Sequence, residues 1–79
     1  MPSAYDELRE QLSRRPLPTS LPIAKVMRVM QDMGYSLKVT GSHHIFRKPG
    51  AQPLNFSVHK KRLRPESVKE LATLFEEWG

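Results

Sequence analysis

The chain has 79 residues and no cysteine, and lysine plus arginine outnumber aspartate plus glutamate by 13 to 8, a net charge of +5. That length holds one domain and nothing larger than a two-layer fold, while the missing cysteines exclude disulfide staples and thiolate metal sites. No run approaches the ~20 apolar residues of a membrane span, and the charged opening Tyr5-Asp6-Glu7-Leu8-Arg9-Glu10 is unlike a secretory leader, so the expected location is cytoplasmic and the expected partners are polyanions, above all nucleic acid.

From Ala4 to Arg15, Tyr5, Leu8 and Leu12 fall at helical spacing among charged residues, with Ser3 as N-cap and acidic residues in the first turn. Pro16-Leu17-Pro18 forbids continuation, since proline removes a donor and biases its predecessor away from helix. Residues 1–18 therefore read as a helical appendage with a proline-rich linker, and 19–79 as the main domain.

The main helix is expected from Pro22 to Met33, with Thr19 and Ser20 available as caps and Gly34 as the stop. Ile23, Val26, Met27, Met30 and Met33 form its apolar stripe, read as core packing. After Gly34 the period becomes alternating. Tyr35, Leu37 and Val39 share one face of a strand and Ser36, Lys38 and Thr40 the other. Gly41-Ser42 turns the chain into a second strand, His43 to Lys48, and Pro49-Gly50-Ala51-Gln52-Pro53 joins it to a third. In that third strand Leu54, Phe56 and Val58 point one way and Asn55, Ser57 and His59 the other. Lys60-Lys61-Arg62-Leu63-Arg64 reads as an irregular basic loop, and Pro65-Glu66 opens a last helix with the stripe Val68, Leu71, Leu74, Phe75 and Trp78.

The order helix, three antiparallel strands, helix implies an α+β two-layer sandwich of α-β-β-β-α layout, like a double-stranded-RNA-binding domain, with an extra N-terminal helix. Both helices would cover one sheet face and leave the other open. If Phe46 is the core residue of the middle strand, period two sends His44 toward the helices and leaves His43, Ile45 and Arg47 on the open face, with Lys38 and His59 near His43.

Imidazole, with a resting pKa near ~6.5, both takes and gives a proton at neutral pH. RNA scission needs little more: the ribose 2′-hydroxyl attacks its own neighbouring phosphate once its proton is removed, the developing charge is steadied and the leaving oxygen is protonated. His43 is the expected proton-transfer group, with His44 and His59 as further catalytic candidates. Lys38, Gly41, Ser42, Arg47, Lys48, Lys60, Lys61, Arg62 and Arg64 are the expected RNA contacts. No metal and no cofactor is expected, since neighbours on one strand point apart and His43 and His44 can hardly hold one ion. The other reading of the same residues is a non-catalytic RNA-binding module.

The helix end Met33-Gly34-Tyr35, the segment Gly41-Ser42-His43-His44-Ile45-Phe46-Arg47 with Pro49 behind it, the strand end Val58-His59 and the stretch Leu63-Arg64-Pro65-Glu66-Ser67-Val68 resemble the HicA family of toxins. The resemblance spans about Leu21 to Leu74, and its most specific piece is the Gly-Ser-His-His strand start. It implies a ribosome-independent mRNA endonuclease of a toxin-antitoxin system, silenced by a HicB-type antitoxin protein that covers its active face. A histidine of the Gly-Ser-His motif carries activity in that family; by position this is His43, with His44 as a second candidate. Two departures stand out. Ser57 occupies a place where the family often has proline, and residues 1–18 are additional.

Overall fold

The computed structural model describes residues 3–78, so the first two residues of the 1–18 extension and the terminal glycine lie outside the described residues. Helix α1 (Ala4–Ser13) begins with a capping box: Ser3 Oγ accepts from Asp6 N at 3.1 Å, and Asp6 Oδ2 accepts from Ser3 N at 3.3 Å. Such a cap contributes about 1 kcal/mol.

Contrary to the appendage expected, α1 buries Leu8 and Leu12 in the same core as every other element and packs against both later helices. Tyr5 stacks on Phe75 with ring centroids 5.0 Å apart. The physical reason is scarcity: a chain this short must use every apolar stripe to close a core.

A two-residue strand, β1 (Leu21–Pro22), runs directly into α2 (Ile23–Asp32). Neither Thr19 nor Ser20 caps this helix; Pro22 occupies the cap position without a side-chain bond, and Ile23 N donates to Lys61 O at 3.0 Å. Backbone from the far end of the chain thus satisfies a donor that was expected to find a side chain.

The helix closes as foreseen at Gly34, whose φ is +96°. Gly34 N donates to Gln31 O and Tyr35 N reaches back to Met30 O, both at 3.0 Å. Those two bonds make a Schellman motif, which needs a left-handed residue at that position. The buried stripe is Ile23, Val26, Val29 and Met30, so the inward face is rotated from expectation: Val29 takes the place assigned to Met27 and Met33, which are only partly buried.

Among the described residues the sheet has five antiparallel strands rather than three. Strands β2 (Ser36–Thr40), β3 (His43–Arg47) and β4 (Leu54–His59) are joined by β5 (Arg62–Leu63) and β1, in the order β1-β5-β4-β3-β2. The basic segment expected as an irregular loop is instead a tight hairpin: His59 pairs with Arg62, and the two central lysines have φ of 52° and 63°. That geometry matches strand twist but usually selects Asn-Gly, which is why two lysines there gave no turn signal. Gly41-Ser42 forms the other two-residue hairpin, with glycine at +59° in the first central position.

Helix α3 (Pro65–Trp78) buries Ser67, Val68, Leu71, Ala72 and Phe75. Leu74 and Trp78, expected in its stripe, lie at the margin. The buried Ser67 hydroxyl accepts from Ser57 N at 2.8 Å, tying α3 to β4.

Among the described residues the result is an α+β protein in which α2 and α3 pack on one face of an antiparallel sheet and α1 packs on those two helices. Phe46, Leu54, Phe56, Val58 and Leu63 point into the core. Cover fades toward β2, the edge strand: across one row Phe56 is 0 % exposed, His44 is half-buried and Val39 is 55 % exposed. No described helix is long and apolar enough to cross a membrane.

Candidate functional site

Pairing register fixes what the uncovered face presents. Thr40, His43 and Ser57 form one row across β2, β3 and β4, and Lys38, Ile45 and Asn55 form the next. Residues directly opposite share a face, and diagonal neighbours stand about 7–8 Å apart. His43 is exposed at the centre.

Nδ1 of His43 lies 3.0 Å from Oδ1 of its diagonal neighbour Asn55. An amide oxygen only accepts, so Nδ1 carries the hydrogen and the neutral ring keeps its lone pair at Nε2. No described residue hydrogen-bonds Nε2. The arrangement orients one imidazole and leaves one basic nitrogen free for a substrate proton.

Lys38 and His59 each stand one diagonal step from His43, in opposite directions along the sheet. Neither hydrogen-bonds to it among the described residues. Arg47 faces Ser36 at one end of the open face, and Arg62 faces His59 at the other.

Charge is segregated between the two sides of the molecule. All eight side-chain carboxylates belong to the three helices, and the segment between Asp32 and Glu66 holds seven lysines and arginines and no acid. Of the four ion pairs among the described residues, Arg14–Glu10, Arg15–Glu76 and Lys25–Glu7 lie among the helices. The fourth, Arg64–Glu66 at 3.3 Å, sits where the sheet meets α3. The other sheet-side cations have no carboxylate partner among the described residues, which leaves their field available to a phosphate chain.

His44 is on the other face. It lies opposite Val39 and Phe56, its Nδ1 is buried without a hydrogen-bond partner, and partial burial lowers its pKa from the ordinary value because the charged form loses hydration. A substrate on the open face therefore reaches His43 and not His44.

The expected RNA contacts also divide. Gly41 and Ser42 form the turn beside His43, and Ser42 O accepts from Val58 N at 2.7 Å. Lys48 is drawn away: its Nζ donates to Met33 O at 3.3 Å and lies 5.0 Å from the Tyr35 ring centroid, which closes the C-terminal end of α2. Lys60 and Lys61 occupy the β4–β5 turn.

Sequence reading placed Asn55 on the same side as His59 yet gave it no role. Its signal was parity on the third strand, which became meaningful only once the register set Asn55 diagonal to His43. Ser20 was likewise read as a helix cap and instead accepts from Arg62 Nε at 2.8 Å. Set against known proteins, the chain matches no family model, no curated protein and no solved structure.

Proposed function

We propose that this protein is a metal-independent endoribonuclease cleaving mRNA, the toxin of a toxin-antitoxin pair of the HicA kind, neutralised by a HicB-type antitoxin on its open face. The observation that carries this reading is an exposed imidazole, held at Nδ1 by Asn55, on a cationic sheet face whose strands contain no carboxylate. The run α2-β2-β3-β4-α3, with one sheet face open, resembles double-stranded-RNA-binding domains and supports the same reading by analogy alone.

In the proposed reaction, Nε2 of His43 takes the proton of a ribose 2′-hydroxyl as O2′ bonds to the adjacent phosphorus. Lys38 and Arg47 lie on the same face to contact the phosphate oxygens as charge builds on the phosphorane. The bond from phosphorus to the 5′-oxygen then breaks, and that oxygen takes a proton from the imidazolium of His43. The products are a 2′,3′-cyclic phosphate and a 5′-hydroxyl end. Protons balance, and every group invoked is a side chain of the open face.

The test is His43→Ala with a defined transcript in chelator. The parent cuts the transcript and leaves a 2′-O-methyl copy whole; the variant keeps its melting temperature and most of its RNA affinity, and cuts neither. A parent that binds the transcript in a salt-sensitive way without cutting it would instead be a non-catalytic RNA-binding module. Cleavage by His43→Ala at the parent rate would remove the catalytic assignment.

A further inference from the structure

We propose that the far end of the open face carries a separate receptor for a backbone phosphate of single-stranded RNA, built from Arg62, Lys60 and His59 around a cavity of about 320 Å³. This rests on the reading of the face as an RNA-binding surface and gives it a second anchoring point outside the cleavage centre. Ser20, Leu63, Arg64 and Pro65 complete the lining.

The guanidinium of Arg62 is the core of this receptor. Its Nε donates to Ser20 Oγ at 2.8 Å, which fixes the plane of the group. No hydrogen bond or ion pair engages its Nη groups among the described residues. A guanidinium oriented on one edge and free on the other matches two oxygens of one phosphate.

Cross-strand pairing sets His59 opposite Arg62, and Lys60 begins the turn between them. Glu66, which follows Pro65 in the chain, is engaged by Arg64 at 3.3 Å, and no carboxylate is among the lining residues. The ligand chemistry that fits is therefore anionic and oxygen-rich.

Position decides between a free anion and a polymer. His59 lies two residues along β4 from Ser57, the partner of His43, a step of about 7 Å, and Arg62 lies one strand further, about 4.8 Å across. Counting the strand step from His43 to Ser57 as well, Arg62 stands roughly 12 Å from His43, so a chain whose scissile phosphate sits at His43 meets this receptor with a phosphate further along the same strand. Such a contact fixes the strand's position and carries no base preference.

The experiment measures the affinity of the full chain for a labelled 2′-O-methyl oligonucleotide, which cannot be cleaved, across a salt series. Arg62→Gln is expected to raise Kd several-fold and to lower the slope of log K against log salt by about 0.7, one phosphate's share on a single strand. Lys60→Gln, which leaves the Ser20 bond intact, is expected to act in the same direction and keeps the test open should Arg62→Gln disturb β5. Lys69→Gln, an exposed change on α3, is the control for net charge and should leave both quantities near the parent's. The proposal is overturned if the Arg62 and Lys60 variants match the parent, or if Lys69→Gln loses as much as they do. Displacement of the oligonucleotide by inorganic phosphate at constant ionic strength would likewise overturn the assignment to a polymer. Because the probe is not cut, a protein that shows the Arg62 effect yet never cleaves transcripts keeps this receptor and loses only the nuclease.

Discussion

Asn55→Ala isolates the orienting bond from the base itself. Its partner is the exposed His43 at 3.0 Å, and an exposed neutral hydrogen bond contributes about 0.5–1.5 kcal/mol. At about 1.4 kcal/mol per factor of ten in rate, losing it lowers kcat by roughly twofold to tenfold. KM should change little, because the amide lies beside the ring and no substrate contact is assigned to it. Asn55→Asp gives a second readout: a carboxylate at Nδ1 favours the charged ring, so the limb of the pH–rate profile that reports imidazole ionisation should move to higher pH. The assay is single-turnover cleavage of a labelled RNA from pH 5 to 9 with parent, both Asn55 variants and His43→Ala. An Asn55→Ala rate equal to the parent's, with His43→Ala inactive, would show that the imidazole works without its amide partner.

Two further expectations concern the core. His44→Met replaces a half-buried ring with an unpaired Nδ1 by an apolar side chain of similar reach, and should stabilise the fold by about 1 kcal/mol at pH 7, the low end for an unsatisfied polar atom. The sign of the pH effect follows from the lowered folded pKa: the unfolded chain binds the proton first, so parent stability is full above the unfolded value near ~6.5 and falls as pH drops below it. The advantage of His44→Met over the parent should therefore widen on acidification, read by urea melts at pH 7.5 and 5.5, while RNA cleavage persists. Leu8→Ala empties a fully buried site on α1 and should cost about 2–5 kcal/mol, lowering Tm by roughly 8–40 °C for a domain of this size. An unchanged Tm would mean that α1 is the appendage its sequence suggests.

The parts of the fold that were legible in the sequence are those set by local rules. The Gly34 stop, the alternation of Leu54, Phe56 and Val58, and the Gly41-Ser42 turn each depend on residues next to one another in the chain. What was illegible depends on contacts across it. Leu21–Pro22 is too short to read as a strand, and becomes one because Arg62–Leu63 lies beside it. Those two residues are in turn held by a turn whose lysines adopt a conformation that sequence rules reserve for glycine and asparagine. The inward face of α2 was mis-set for a similar reason: methionine and valine score alike at helical spacing, and which is covered depends on α1, β1 and β2 packed against the helix. At the candidate site the parity of His43 against His44 was readable from Phe46. The partnership with Asn55 needed the β3–β4 register, which no local signal supplied.

The geometry also bounds how such a site works. One imidazole in general acid–base catalysis contributes about 10²–10⁴. On an open face, a contact such as that proposed for Lys38 with a phosphate acts near solvent dielectric, where a charge pair at 4 Å is worth about 1 kcal/mol rather than the several reached in a closed cleft. The proposed chemistry is therefore slow for a nuclease, and phosphate contacts make it tolerant of base sequence. The same openness dictates how it would be silenced. The helices hold all eight carboxylates, and no described ion pair brings one to Lys38, Arg47 or Arg62. A protein that covers this face has to bring acidic side chains of its own, since burying these cations unpaired would cost more than the contact returns.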